Sequence, residues 1–290
     1  MNLPFFDPVS DPGPSFLHLL AATGHLPPIP ETPPGGSPLQ VAHGTTVAAI
    51  RFAEGVLMVG DRRATEGHSI AHRRMEKVMP ADAFSGVAIA GAAGPAVDLV
   101  KLFQTQLEHY EKVEGSALTL EGKANQLAMM VRSNLPMAMQ GMVVVPLFAG
   151  YDHGAGRGRI FSYDVAGGRY EETEHHATGS GGRDARTTIK LGYREGLSRD
   201  EVIRLALTAL YEAAEEDSAT GGPDVIRGIY PTVATITGAG FQPVPEEEVA
   251  GHFNRLIAER LEVAAANRLP EEETVPSPRA RKSRARGTTT

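Results

Sequence analysis

The chain has 290 residues, which is long enough for one large domain or two small ones. Hydrophobic residues make up 41% and charged residues 22%, values near those of globular proteins, so a wholly disordered chain or a fibrous repeat is not expected. The absence of cysteine excludes disulfide frameworks, thiolate metal sites and cysteine nucleophiles. A formal net charge of −7 argues against a protein that binds nucleic acid through clustered basic residues.

Residues 1–44 differ in composition from the rest of the chain. They contain no Lys or Arg and 10 of the 21 prolines. Proline fixes φ and lacks a backbone donor, so neither a helix nor a central strand is expected there. The start MNLPFFDP lacks the basic region and apolar run of a secretory signal, and the apolar residues 16–20 are too few to span a membrane. We therefore expect a tail or prosegment on a cytoplasmic protein.

The folded part begins with β-rich runs. Thr46–Phe52 and Gly55–Val59 predict a hairpin, and Ser85–Ile89 predicts a third strand. Apolar residues spaced three and four apart then predict a helix over Val97–Val113 and a second helix over about Leu118–Asn134, which a Leu-Pro pair ends.

The second half of the folded part repeats this order of strands and then helices. Its predicted elements are the strands Val143–Tyr151, Arg159–Asp164 and Gly168–Glu172, the helices Arg183–Leu191 and Ser198–Glu216, the strand Thr232–Thr237 and the helix Pro245–Ala265. Strands, two helices, strands and two helices predict an α+β chain in which helices cover the outer faces of two packed antiparallel sheets. That arrangement is a four-layer α/β/β/α sandwich.

The last segment, residues 267–290, has six basic residues against three acidic ones and contains a Pro-Ser-Pro break. This composition predicts a disordered basic C-terminal tail. The predicted folded domain is therefore 45–266.

The junction between the proline-rich leader and the first strand carries the most informative residues. A cut between Gly44 and Thr45 would make Thr45 the N-terminus, and its freed α-amine could act as the base for its own hydroxyl. That amine has an ordinary pKa of about 7.7 to 8, which a nearby cation would lower. Asp61 follows the second strand and Lys77 comes 32 residues after Thr45, so an acid and a base on adjacent strand ends could pair beside Thr45. Taken singly these signals are weak, because Thr-Thr pairs are frequent by chance and a surface ion pair is the more common explanation of two such charged residues.

Two other patterns point to rival chemistry. Gly179–Gly182 precedes a helix, but neither the Walker nor the Rossmann spacing accompanies these glycines, so nucleotide binding is disfavoured. The histidine pairs, His68 with His72 and His175 with His176, fall in or beside predicted turns and are expected to be solvated. We therefore predict no metal and no cofactor.

Six motifs, taken together, resemble the β subunit of the 20S proteasome, most closely the bacterial, actinobacterial type. The resemblance covers about residues 45–261. The motifs occur in the family's order: GTTVAAIRF (44–52), GDRRAT (60–65), the Lys of RRMEKVMP (73–80), AIAGAAGPAVD (88–98), ATGSGG (177–182) and EEDSATGGPD (215–224).

The resemblance implies a hydrolase of the N-terminal-nucleophile type, and each matching position takes a role. Thr45 would be nucleophile and base, Lys77 would lower the pKa of its amine, and Asp61 would hold Lys77. The Gly91 N–H would stabilise the oxyanion. The remaining matches would form a hydrogen-bond network around the threonine amine: Ser180, Asp217 and Thr220. Thr220 stands where the archaeal pattern has Ser, and Gly182 stands where the pattern has a second Ser.

The resemblance also implies a zymogen that cuts itself at Gly44-Thr45 and then cleaves proteins with a broad preference for bonds after apolar residues. The positions that match the family's first specificity pocket carry no charge, and flexible Met adapts to several shapes. These substrate-binding candidates are Ala64, Thr65, Met75, Met79, Ile89 and Ala93.

The implied partners are a seven-fold ring of identical β subunits, proteasome α subunits, a ring-shaped ATPase, and unfolded or tagged protein substrates, with no nucleic acid and no membrane. Two alternatives stay open. One is a subunit of the simpler two-ring bacterial threonine peptidase, which is shorter and lacks the long prosegment and the C-terminal extension. The other is a non-catalytic structural ring subunit, which would keep its leader. The intact mass of the assembled chain distinguishes the structural subunit from an enzyme.

Overall fold

The computed structural model describes residues 44–67 and 69–267. Residues 1–43 of the predicted leader, the tail after 267 and His68 lie outside this part of the chain. Within it there are twelve strands and six helices: β1 (Thr46–Phe52), β2 (Gly55–Gly60), β3 (Ala64–Glu66), β4 (Ser69–His72), β5 (Val78–Asp82), β6 (Ser85–Gly91), α1 (Ala93–Glu114), α2 (Leu120–Ser133), α3 (Leu135–Met139), β7 (Val144–Asp152), β8 (Arg157–Tyr163), β9 (Arg169–Glu172), β10 (His175–Gly179), α4 (Gly182–Gly192), α5 (Arg199–Glu216), β11 (Thr232–Thr237), β12 (Gly240–Pro243) and α6 (Glu246–Ala266).

The strands form two antiparallel five-stranded sheets and a separate β3–β4 hairpin. One sheet has the order β10-β1-β2-β11-β12, and the other has the order β5-β6-β7-β8-β9. In the first sheet β1 pairs with its sequence neighbour β2 and, on its other edge, with β10, so that Ala48 lies opposite both Val59 and Ala177. The second sheet is a meander of sequential strands.

Alternation along the strands builds three apolar layers. The layer between the two sheets holds Val47, Ala49, Val56, Met58, Ala88, Ala90, Leu147 and Ala149. The neighbouring residues of β1 and β2 point the other way, into a layer under α4, α5 and α6: Ala48, Ile50, Leu57 and Val59. A third layer joins the second sheet to α1 and α2 through Val87, Ile89, Phe103, Leu127 and Phe148. The fold is therefore the predicted α/β/β/α sandwich.

All the strands and helices predicted from the sequence are present, with ends that differ by a few residues. Ser198 caps the N-terminus of α5, because its hydroxyl accepts from the Glu201 N–H while the Glu201 carboxylate accepts from the Ser198 N–H. The short or interrupted elements were missed, namely β3, β4, β5, β10, β12 and α3. In β5 a proline breaks the strand pattern, whereas Pro136 sits in the first turn of α3, where its missing N–H costs nothing.

The prediction that His175 and His176 are solvated in a turn is wrong. Both lie in β10, and the ring Nδ1 of His176 is 2.9 Å from a carboxylate oxygen of Glu172. His72 does lie exposed, at the end of β4. Within residues 44–67 and 69–267, no helix combines the length and apolar character needed to cross a membrane.

Candidate active site

Thr45 precedes β1, and the pairing of β1 determines what surrounds it. Thr46 lies opposite Gly179 at the end of β10, and Val47 lies opposite Gly60 at the end of β2. The residues that follow those strands, Ser180 and Asp61, therefore flank Thr45 from both sides. The Ser180 N–H donates to the Thr45 carbonyl at 2.8 Å, and Asp61 Oδ1 accepts from the Thr46 N–H at 2.8 Å.

Asp61 and Lys77 form a buried ion pair beside Thr45. The Lys77 Nζ lies 2.7 Å from Asp61 Oδ1, and the two side chains are 1% and 0% exposed. Asp61 also accepts backbone N–H groups from Thr46, Arg63 and Gly221, so both of its oxygens are saturated. Burial lowers the pKa of Lys77 below its ordinary value, and the Asp61 carboxylate offsets only part of that effect.

The Gly44 carbonyl oxygen is where the hydroxyl and the ammonium group meet. The Thr45 Oγ1 donates to it at 2.6 Å, and the Lys77 Nζ donates to it at 3.2 Å. Gly44 and Thr45 are both buried. A hydroxyl therefore lies against the neighbouring peptide bond while a cation polarises the carbonyl of that bond.

A network of hydroxyls and one carboxylate lies on the other side of Thr45. The Thr45 N–H donates to Ser180 Oγ at 3.3 Å, and Ser180 Oγ donates to Asp217 Oδ2 at 2.5 Å. The Thr220 hydroxyl donates to the same Asp217 oxygen at 2.6 Å. Burial acts to raise the pKa of Asp217, but the hydrogen bonds from Ser180 and Thr220 outweigh it and hold that pKa below its ordinary value.

The glycines of the site permit close approach of backbone to backbone. Gly179 has φ +102°, and a Cβ there would lie 2.0 Å from the Thr45 carbonyl oxygen. A Cβ on Gly181 would lie 2.6 Å from Thr46 Oγ1. Only glycine fits these positions, so the ATGSGG motif brings β10 and the start of α4 against Thr45 and Thr46. At Gly182 a Cβ would lie 3.3 Å from the Ala177 carbonyl, so a serine there would be tight.

The oxyanion candidate and the substrate-binding candidates lie on several different elements of the fold. Gly91 ends β6 with φ +107°, and its role as a donor stays a prediction. Thr65 lies beside Gly44, since its Oγ1 is 2.5 Å from the place a Cβ on Gly44 would take. Met75 and Ala93 line one open groove of about 860 Å³.

Of the other three candidates, Ile89 and Ala64 are buried and Met79 is partly buried. Ile89 is buried in the layer under α1, where the partly buried Met75 and Met79 pack against the same cluster. Ala64 is buried in β3. Thr65 therefore lies next to Gly44, Met75 and Ala93 line the groove, Met79 is partly buried, and Ile89 and Ala64 are buried. Their role in substrate binding stays a prediction.

Three further residues belong to the site and were missed by sequence reasoning. Thr46 Oγ1 lies 2.5 Å from Thr220 Oγ1 and accepts from the Gly181 N–H at 3.1 Å. The Arg63 carbonyl accepts from the Lys77 Nζ at 2.5 Å, and the Gly221 N–H donates to Asp61 Oδ2 at 2.9 Å. Thr46 and Arg63 were visible only as the second members of the Thr-Thr and Arg-Arg pairs, a signal too common to single them out.

Two packed antiparallel sheets between helices, with a threonine at the head of the first strand, form the fold of the N-terminal-nucleophile hydrolases. A family model described as "Proteasome subunit" matches residues 41–227. A proteasome subunit beta of Acidimicrobium ferrooxidans is 59% identical over 263 residues, which cover 90% of this chain and 96% of that protein. The proteasome subunit beta of Acidothermus cellulolyticus is 51% identical (88% and 90% covered), and that of Frankia casuarinae 53% (78% and 82%).

The chain belongs to the proteasome family, as a β subunit of the bacterial, actinobacterial type. Its class is therefore that of the protein-degrading hydrolases.

Proposed function

We propose that this chain is the catalytic β subunit of a 20S proteasome core and acts as a threonine endopeptidase. In this proposal identical subunits form seven-fold rings that stack with rings of α subunits in the cytoplasm, and a ring-shaped ATPase delivers unfolded or tagged proteins. The observation that supports this proposal most strongly is a pair of hydrogen bonds: Thr45 Oγ1 and Lys77 Nζ both donate to the Gly44 carbonyl oxygen, at 2.6 and 3.2 Å.

The first reaction would be removal of the leader, residues 1–44. Thr45 Oγ attacks the Gly44 carbonyl carbon, a C–O bond forms, the C–N bond breaks, and the hydroxyl proton passes to the departing nitrogen. Water then hydrolyses the ester to give a Gly44 carboxylate and a free amine on Thr45. The Lys77 ammonium group on the carbonyl oxygen would stabilise the negative charge that develops there.

The second reaction would use the freed amine as the base. It takes the proton of the Thr45 hydroxyl as that hydroxyl attacks a substrate carbonyl, and it passes the proton to the leaving amine. Water releases the acyl group from Thr45. The amine would start out beside Ser180 Oγ, which is the present partner of the Thr45 nitrogen, and the Gly91 N–H would serve as the oxyanion donor. Before the cut no free amine exists, so the leader would keep the unassembled subunit inactive.

The substrate preference would be broad and apolar before the scissile bond. Met75 and Ala93 line the open groove with one flexible and one small side chain, and neither is charged. A single methylene in such a pocket changes discrimination by only roughly 10- to 200-fold, so several apolar residues should be accepted. A peptide panel in which acidic or basic residues before the cut react faster than Leu, Tyr or Phe would contradict this preference.

The proposal is tested by the intact mass of the chain after assembly with an α subunit. The wild-type chain should begin at Thr45, Thr45→Ala should keep its leader, and Thr45→Ser should be cut because a hydroxyl remains. The alternative of a non-catalytic ring subunit predicts that the wild-type chain stays uncut. Cleavage of purified Thr45→Ala at the same bond would also contradict the autocatalytic mechanism.

A further inference from the structure

The proposed site is assembled from two halves that are far apart in the chain. One half is the Asp61–Lys77 ion pair beside β2 and β5. The other half is the loop 217–222 after α5, which carries Asp217 and Thr220. Two residues make polar contacts with both halves. Thr46 does so through its N–H on Asp61 and its hydroxyl beside that of Thr220, and Arg63 does so with a charged side chain.

Arg63 uses its backbone on the first half and its side chain on the second. Its N–H donates to Asp61 Oδ2 at 2.9 Å, and its carbonyl accepts from the Lys77 Nζ at 2.5 Å. Its guanidinium Nη1 donates to the Ser218 carbonyl at 2.8 Å. Ser218 follows Asp217 directly, so the guanidinium holds the backbone of the turn that aims the Asp217 carboxylate.

Packing reinforces these contacts. The Gly221 N–H donates to the same Asp61 oxygen at 2.9 Å, and a Cβ on Gly221 would lie 2.6 Å from the Arg63 Cβ. The loop therefore lies directly against Arg63 with no space for a side chain at Gly221. Within the loop the Thr220 N–H donates to the Asp217 carbonyl at 3.0 Å, so a displacement of Ser218 would be passed on to both network residues.

The charge of Arg63 adds to this geometry. Burial lowers the pKa of Lys77, the Asp61 carboxylate raises it, and the Arg63 guanidinium is a further cause that lowers it. Burial acts to raise the pKa of Asp217, and the Arg63 guanidinium helps the hydrogen bonds to lower it. A cation that acts on these two neighbours acts in the same direction on an amine at Thr45, because a positive charge disfavours protonation of nearby groups.

We propose that Arg63 is a positioning residue whose guanidinium fastens the loop 217–222 to the Asp61–Lys77 pair. Its effect on reaction rate rests on the function proposed above, whereas its effect on the loop does not. The neighbouring Arg62 provides a matched control, because its guanidinium points elsewhere and lies 3.8 Å from the Glu246 carboxylate at the start of α6.

The first test compares Arg63→Met with Arg62→Met in assembled rings. Loss of a hydrogen bond from a charged donor should slow peptide hydrolysis by roughly 10- to 100-fold in Arg63→Met and leave Arg62→Met near the wild-type rate. Loss of the positive charge should raise the pKa of the Thr45 amine, and the rising limb of the pH–rate profile should therefore shift to higher pH by roughly 0.3 to 1 pH unit. Arg63→Lys should restore the position of that limb and only part of the rate, because lysine keeps the charge and lacks the planar fork.

The second test needs no catalysis. In a Thr45→Ala background, hydrogen exchange of the amides of residues 218–221 should be faster in Arg63→Met than in the parent, and unchanged in Arg62→Met. Equal exchange in Arg63→Met and the parent would overturn the proposal whatever the kinetics show. If the wild-type chain neither cuts itself nor hydrolyses peptides, the proposed function fails, and the exchange measurement still decides whether Arg63 holds the loop.

Discussion

Replacement of Gly44 by alanine should slow removal of the leader by roughly 5- to 150-fold while leaving the folded subunit intact. A Cβ on Gly44 would lie 2.5 Å from Thr65 Oγ1, 2.7 Å from the Ala219 Cβ and 2.8 Å from the Ala219 carbonyl oxygen. Carbon contacts are favourable at about 3.5 to 4.0 Å, so either Gly44 or its neighbours must move.

The carbonyl that would be displaced is the one that Thr45 is proposed to attack. It now accepts from Thr45 Oγ1 at 2.6 Å and from Lys77 Nζ at 3.2 Å, and a shift of a few tenths of an ångström would disturb both contacts. Overpacking by one methyl group typically costs about 1 to 3 kcal/mol. If that cost falls on the reactive conformation, each 1.4 kcal/mol slows the reaction about tenfold, which gives the range above.

The assay is the intact mass of the subunit at timed intervals after mixing with its α partner. Gly251→Ala is the control, since a Cβ there, on the exposed side of α6, would have nothing within 4 Å. Thr65→Ala added to Gly44→Ala should recover part of the rate, because it removes the 2.5 Å contact and leaves those with Ala219. A Gly44→Ala chain that is cut at the wild-type rate would refute the steric reasoning.

The remaining predictions concern the buried charges and the glycine behind them. Lys77→Ala should abolish peptide hydrolysis yet leave the rings assembled, because Asp61 keeps three backbone donors; hydrolysis near the wild-type rate would contradict this. Asp61→Ala should lower the free energy of unfolding in urea by about 3 to 5 kcal/mol, because it leaves the buried Lys77 ammonium group without its carboxylate partner. A smaller loss would contradict this reasoning. Gly179→Ala should also destabilise the subunit in urea, because φ is +102° and the new Cβ would meet the Thr45 carbonyl at 2.0 Å; unchanged stability would show that β10 can shift. The lowered pKa of Asp217 means that its carboxylate stabilises the folded state at pH values above its ordinary pKa near 4, and that this stabilisation is lost as the pH falls through the folded-state pKa. The free energy of unfolding of the wild type should therefore exceed that of Asp217→Asn by less as the pH approaches 3, and a difference that does not change with pH would contradict the lowered pKa.

Much of the fold could be predicted from the sequence because it depends on local patterns. The β1–β2 hairpin follows from two β-rich runs with a tight turn, and α5 follows from apolar spacing and the Ser198 cap. The order of strands and helices was then enough to infer the layers. The pairing of Asp61 with Lys77 was also predicted, from an acid and a base at strand ends. In the structure Asp61 follows β2 and Lys77 directly precedes β5.

Other features were decided only by the tertiary structure, because they join residues far apart in sequence. Nothing in HHATG identifies a strand, yet pairing with β1 makes it β10 and thereby brings Ser180 to Thr45 across 135 positions. The same holds for the contact of Arg63 with Ser218, 155 positions apart. Local sequence selects the residue types that a site needs, whereas long-range sheet pairing selects which of those residues meet, because a strand acquires its partners only when the sheet forms.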